Sequence, residues 1–407
     1  MKTLIRWSWL VGLLGVVVTI SLAPTLSQWA FGNQEYSWAF VWLSITLLLE
    51  ALRKGQIAKV QGMRNLKNLA KAGVIGSALG LFTSVPLYYI YGLKGIVPAI
   101  IITASSGLII SWYYARKIKT QPVKQSYRES YTAGLGMAKL GIYISLAGFI
   151  GIATDYILDI FISKWGGLDQ VGLYSAGVGI VTQLTGMIFT AMATDFYPKL
   201  SAVNRDIEKV NILVRQQAET ALFILTPLLT LAIVSMPLIV KLLYTPEFLS
   251  VVMFANLMTV GMLLEAVIWS MWYIFLAKND GGLYFIMELL FGILSLASGL
   301  LGYYLYKLEG LAISFILVSL ISLFFGYYIL RRKYRFSLPN HFWRLFFLVN
   351  LIVLTAFGFS LASDNLIRYL FGIIIFIASS AFSLYHLNKV MDLRSLITGI
   401  VKRFKHK

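Results

Sequence analysis

The chain contains no cysteine, only three histidines and few charges of acidic sign, 17 Asp and Glu in 407 residues. The absence of cysteine excludes disulfides, iron–sulfur clusters and thiolate-ligated zinc. His341, His386 and His406 lie in or beside basic segments and form no cluster, so no metal centre and no cofactor are expected. Charged residues make up 13% of the chain, hydrophobic ones 58%, and mean hydropathy is +0.78. A soluble fold of this length would not have enough polar surface to cover such a composition. The chain therefore reads as an all-α polytopic membrane protein.

Runs long enough to cross a hydrocarbon layer, about 20 apolar residues each, occur at 8–30, 37–58, 68–91, 96–115, 135–160, 171–197, 217–243, 249–276, 282–305, 309–330, 342–362 and 366–387. All twelve are expected to be helices, because lone strands leave their backbone unsatisfied in lipid and a barrel would show alternating ten-residue segments. With the N-terminus inside, 30 of the 35 Lys and Arg fall in inner segments, against Lys94, Lys164, Lys241, Lys307 and Arg368 outside. This asymmetry places both termini of a multi-pass membrane protein in the cytoplasm. It also explains the net charge of +18, including the tail Lys402 to Lys407, by topology and by contact with anionic lipid, with no call for nucleic acid. The start resembles a signal peptide, but the long run and the lack of a small-x-small cleavage site favour a retained helix.

Leu48-Leu49-Glu50-Ala51 returns 215 positions later as Leu263-Leu264-Glu265-Ala266. The same offset relates Tyr88-Tyr89-Ile90-Tyr91-Gly92-Leu93-Lys94-Gly95 to Tyr303-Tyr304-Leu305-Tyr306-Lys307-Leu308-Glu309-Gly310. Two motifs sharing one offset indicate a diverged internal duplication. Paired helices are six apart, so both copies have one orientation and the repeat is parallel. The expected organisation is a shortened N-terminal bundle of four helices over 1–119, a bundle of six over 120–334, and an extra helix pair with a basic cytoplasmic tail over 335–407.

Five segments carry a family resemblance. They are Leu168-Asp169-Gln170-Val171-Gly172-Leu173-Tyr174-Ser175-Ala176, Phe196-Tyr197-Pro198-Lys199-Leu200-Ser201, Leu243-Tyr244-Thr245-Pro246-Glu247-Phe248, Tyr91-Gly92-Leu93-Lys94-Gly95-Ile96 and Gln61-Gly62-Met63-Arg64. Taken in chain order they resemble the Wzx-like polysaccharide and O-antigen flippases of the multidrug/oligosaccharidyl-lipid/polysaccharide exporter superfamily, with the match beginning at what looks like that family's third helix. The resemblance implies two pseudo-symmetric bundles around a central cavity that opens alternately to each side. It also implies outward movement of a lipid-linked oligosaccharide, undecaprenyl-pyrophosphate-linked, and an exporter role beside the polysaccharide polymerase and glycosyltransferases of one pathway. Two helices of the family's cavity are then expected to be missing before Met1.

Dragging a pyrophosphate and sugars through hydrocarbon carries the desolvation cost of unpaired charge, so ionisable groups within helices are the first site candidates. Glu50 and Glu265 hold equivalent positions in the two copies and read either as cavity groups binding a coupling proton or sodium ion, or as packed carboxylates with a partner. Arg53 and Lys54, one turn from Glu50, favour packing there. Glu288 is a similar, unrepeated candidate. Asp155 and Asp159 share a helix face and either hold a coupling cation or cap a solvated helix end. Lys139 and Arg215 either meet a pyrophosphate or act as ordinary inner anchors. Gln183, Asn256 and Asn350 suit interhelical hydrogen bonds, and Pro24, Pro86, Pro98, Pro227 and Pro237 suit bends.

Two other functions compete. A cation-coupled multidrug antiporter of the same superfamily would share repeat and fold. A membrane glycosyltransferase or polymerase would be an enzyme, but the outer loops here are too short to hold a folded catalytic module. The expectation is a transporter and no enzyme.

Overall fold

In a computed structural model the described residues are 2–63, 65–118, 126–362 and 365–390; Arg64 and the basic tail from Lys402 to Lys407 lie outside them. These residues form eleven α-helices and two short 3-10 turns, with no strand. The helices are α1 (Lys2–Phe31), α2 (Ser37–Gly62), α3 (Leu66–Tyr91), α4 (Ile96–Arg116), α5 (Tyr127–Gly166), α6 (Leu168–Ala202), α7 (Ile207–Leu243), α8 (Val252–Ala277), α9 (Gly281–Tyr334), α10 (Asn340–Ser360) and α11 (Asn365–Val390). Several overrun the apolar runs, α5 and α6 at both ends and α7 at its start. Hydropathy marks only the part of a helix that must sit in lipid, whereas backbone hydrogen bonding continues into charged flanks such as Ile207 to Arg215.

The two runs expected at 282–305 and 309–330 form the two helical arms of α9, which meet where the backbone leaves helical geometry at Tyr306 and Lys307. The break is a hairpin rather than a bend. The Ser314 hydroxyl on the second arm donates to the Ser298 carbonyl on the first at 2.7 Å, and a Cβ on Gly310 would lie 1.9 Å from the Gly302 carbonyl oxygen. Only glycine permits that approach of two backbones.

The corresponding reversal between α3 and α4 shows the duplication in atomic detail. Gly92 has φ 53°, ψ −131°, and Lys307, 215 positions later, has φ 52°, ψ −133°. A Cβ on Gly95 would meet the Leu87 carbonyl oxygen at 2.2 Å, the counterpart of Gly310 against Gly302. The two copies therefore share a backbone turn although one of them places lysine where the other has glycine.

The chain divides into two compact units, Met1–Lys139 and Leu140–Lys407. The division falls inside α5. In unit 1, α1 packs along α2 and α2 along α4; a Cβ on Gly12 would touch Leu48 at 2.7 Å, so glycine allows the close crossing. The first turns of α5 are tied to α1, because Arg6 donates to the Ser126 carbonyl at 2.8 Å and the Trp7 indole donates to the Ser130 carbonyl at 3.1 Å.

Unit 2 is organised around α8. The stretch Pro246–Ala277 is 78% buried, more than any other apolar helix described. Helices α6, α7, α9 and α10 pack on it, and α11 packs on α7. Two interhelical hydrogen bonds hold the last pair: Thr230 with Ser379 at 3.1 Å, and Asn256 to Ser360 at 3.4 Å. Small side chains let helices come this near without an aqueous driving force between them.

The loop from α8 to α9 is clasped. The carboxylate of Asp280 accepts from Lys333, from the Tyr334 hydroxyl and from the Leu283 backbone N–H, so it caps one helix and ties down the end of the same hairpin. Partial burial pushes this carboxyl up, but those hydrogen bonds and the Lys333 charge outweigh it, and it titrates below its ordinary range.

Two expectations follow. Lysine at positive φ carries strain of about 1–3 kcal/mol, so Lys307→Gly should raise the thermal midpoint of the purified protein and Gly92→Ala should lower it, as read by thermal unfolding in detergent. Because the folded pKa of Asp280 lies below the free value of 3.8, the clasp contributes fully above that pH and is lost as pH falls through the folded pKa. Wild type should thus lose more stability between neutral pH and roughly pH 3 than Asp280→Asn does, measured as midpoint against pH.

Candidate functional site

One face of α8 carries Glu265, Trp269, Trp272, Tyr273 and Leu276, a spacing of one helical stripe. Within unit 2 this stripe faces a half-open cavity of about 520 Å³. The first arm of α9 contributes Tyr284, Glu288 and Phe291, the second arm Phe315, Ser319 and Ser322, and α5 adds Thr154 and Asp155. The α9 hairpin matters here, because folding back at Lys307 brings two arms of one chain segment to opposite sides of one space.

The site combines three carboxylates with aromatic walls, and no Lys or Arg is among its lining residues. Glu265 accepts a hydrogen bond from the Ser319 hydroxyl at 2.6 Å. Tyr284 lies one turn before Glu288 on the same arm and lines the same space. Trp269 packs on Phe189 at 5.4 Å and, like Tyr273, on Phe196, so the Phe196-Tyr197-Pro198-Lys199 segment backs the α8 aromatic wall. Trp272 packs on Phe291 at 5.7 Å. These contacts fix the rings that bound the space.

Of the seven residues singled out in the sequence, the fold brings Asp155, Glu265 and Glu288 together. Asp159, one turn along α5, does not line the cavity; its Oδ1 is buried with no hydrogen-bond partner. Glu50 lies in unit 1 and is ion-paired with Arg53 at 2.8 Å. Arg53 in turn reaches to 3.0 Å from the place of a Cβ on Gly107. Lys139 is exposed on α5 in unit 1. Arg215 sits 3.9 Å from Glu219, the next turn of α7. Glu219 itself is 8% exposed and was not anticipated, although a carboxylate four residues after an arginine in an apolar run marks such a pair. Asn256 bonds Ser360, while Asn350 donates to the Phe346 carbonyl of its own helix.

The aromatic and hydroxyl lining was also missed. Its signal was present in the stripe Glu265, Trp269, Trp272, Leu276 and in the serines Ser319 and Ser322 within an apolar run. Neither could be assigned to a shared space without knowing which helices pack against one another.

Comparison with known proteins places this arrangement. A family model described as "polysaccharide biosynthesis protein" matches residues 1–253. The chain belongs to that family. Its fold is that of a MATE crystallised in complex with MaD5, with TM-score 0.70, 16% identity, and 81% of this chain and 78% of that chain covered. A Vibrio cholerae MATE transporter, VcmN, gives 0.66 and 16% over 80% of this chain and 77% of that one. The lipid II flippase MurJ in an inward closed conformation gives 0.59 and 14%, over 97% of this chain and 84% of that chain. No curated protein sequence matches significantly. The polysaccharide biosynthesis family member is thus a multi-pass membrane protein that shares its fold with these membrane transporters.

The Ser319 hydroxyl is the hydrogen bond on which the Glu265 carboxylate rests. Ser319→Ala should lower unfolding stability by about 1–3 kcal/mol, the usual cost of unpairing a charged acceptor, whereas Ser319→Thr should retain most of it. Equilibrium unfolding in mixed micelles measures both.

Proposed function

We propose that this protein is a flippase that moves a lipid-linked oligosaccharide, undecaprenyl-pyrophosphate-linked, to the outer leaflet of a bacterial plasma membrane for cell-surface polysaccharide assembly. Transport proceeds by alternating access driven by a proton or sodium gradient, with both termini cytoplasmic. The oligosaccharide is received from glycosyltransferases and passed to a polymerase of the same pathway.

The observation that supports this reading best is an acidic, aromatic-walled cavity inside a helical unit of a polysaccharide biosynthesis family member. Three carboxylates with no basic partner in the lining repel a pyrophosphate and attract a cation. The cavity therefore suits the driving ion, with Glu265 and Ser319 on one side, Glu288 on another and Asp155 from α5. An ion held there neutralises carboxylates drawn from three helices and favours the arrangement in which they converge. That gives the ion differential affinity for two states, the requirement for coupling. The pyrophosphate needs cations elsewhere. Lys139, exposed, and Arg215, only loosely held by Glu219 at 3.9 Å, are the residues proposed to meet it.

The same acidic, aromatic lining favours a second reading, a cation-coupled multidrug antiporter. Purified protein in liposomes separates the two: a lipid-linked oligosaccharide made accessible to an external glycosidase supports flipping, and dye efflux supports the antiporter. Glu265→Gln should slow flipping about tenfold or more, equal to at least one pKa unit of lost interaction, with unchanged abundance in the membrane. Transport at the wild-type rate would remove Glu265 from the mechanism.

A further inference from the structure

The second hairpin of the duplication keeps a residue that its backbone disfavours. Lys307 has φ 52°, ψ −133°, outside the left-handed helical basin that Arg335 occupies at φ 58°, ψ 28°. A Cβ is unfavourable there and glycine is the usual occupant. The first copy meets the same dihedral angles with Gly92. Reversal of the chain therefore asks for glycine at 307, and a strained lysine in its place answers another need.

That need is for a cation at the tip of the hairpin. Each tip carries one lysine, as Gly92-Leu93-Lys94 in the first copy and as Lys307-Leu308-Glu309 in the second. Glutamate stands where Lys94 would be repeated, so the charge has moved two positions onto the strained one. Lys307 is also among the five Lys and Arg that fall at outer ends, against the general preference for inner segments. Contacts within the protein do not account for it. Its Nζ lies 5.4 Å from the Tyr303 ring centroid, and a ring contact by an exposed lysine returns less than such a backbone costs. Among the described residues it forms no ion pair.

The surroundings select the anion. Trp165, Tyr304 and Tyr306 are exposed around the tip, Trp165 edge-on to Tyr304 at 6.0 Å, and tryptophan and tyrosine favour the level of lipid headgroups. Leu301, Tyr304 and Leu305 form one exposed stripe of the first arm. It leads from hydrocarbon depth to the lysine, the order of groups along a phospholipid.

We infer that Lys307 binds the phosphate of an anionic phospholipid at the membrane surface, its acyl chains along Leu301 and Leu305 and its headgroup beside Tyr304. Bound lipid then offsets the strain of the hairpin. Only the side of the membrane rests on the topology proposed above, and the site requires no particular transported substrate.

The test follows the thermal midpoint of the purified full chain in neutral detergent as phosphatidylglycerol, phosphatidylcholine or undecaprenyl phosphate is added. It compares wild type, Lys307→Gly and Lys307→Arg. A ligand of the folded state raises the midpoint with its concentration. Phosphatidylglycerol is expected to do so saturably for wild type and Lys307→Arg, with phosphatidylcholine far weaker. Lys307→Gly starts from a higher midpoint, because the strain is gone, and needs about fivefold more phosphatidylglycerol for half of the effect, the worth of one lysine against an anionic lipid. A lysine with a merely structural role would not pair higher intrinsic stability of the variant with a weaker lipid response. Equal half-saturation in wild type and Lys307→Gly places the phosphate elsewhere and overturns the inference. A starting midpoint for Lys307→Gly no higher than that of wild type removes the strain and overturns it too. Undecaprenyl phosphate acting through Lys307 at lower concentration than phosphatidylglycerol makes the tip a substrate contact, which also overturns it. Micelles have no inside and outside, so each outcome is independent of topology and of transport.

Discussion

A carboxylate in the middle of the most buried helix of unit 2 must be hydrogen-bonded or must reach a polar space, and Glu265 does both. The cost of leaving it in an apolar interior is several kcal/mol. The surroundings of α8 meet that cost: Ser319 donates to it from the second arm of α9, and the cavity opens beside it. The α9 hairpin is the device that makes this possible. Without the reversal at Tyr306 and Lys307, Glu288 and Ser319 would lie about 45 Å apart along one straight helix.

The reversal is itself inherited. Gly92 and Lys307 adopt the same dihedral angles, and Gly95 and Gly310 permit the same close backbone approach. Duplication thus supplied two copies of one hairpin, after which their polar content diverged. In the first copy Glu50 found a partner on its own helix, Arg53, one turn away. In the second, position 268 is isoleucine, so Glu265 has no such base and turns to a serine on another helix and to the cavity. One difference at an equivalent site separates an ion pair within a single helix from a carboxylate hydrogen-bonded to another helix.

The same contrast explains which site residues could be read in advance. Glu265 and Glu288 were legible because a charge in an apolar run is costly and so demands a reason. Asp155 and Asp159, equal in the sequence, are separated by the fold: one turn of α5 puts the first on the cavity and the second among neighbours that leave its Oδ1 unpartnered. Trp269, Trp272 and Tyr273 carry no such alarm, since aromatic residues are ordinary in membrane helices and only a three-dimensional neighbour shows that they face a space. Glu219 lies four residues after Arg215 at the charged start of α7, where a charge raises no such alarm.

By itself the sequence determined the class, where the apolar segments lie, the duplication and the family, since these depend on composition, on run length and on motifs local to a few turns. The mean hydropathy and the Lys and Arg asymmetry need no knowledge of which helices touch. Only the tertiary structure decided that α8 is the centre of its unit and that three carboxylates from α5, α8 and α9 share one cavity. Those outcomes depend on contacts between residues tens to more than a hundred positions apart, and hydrophobicity along a chain specifies which faces avoid water without specifying which faces meet.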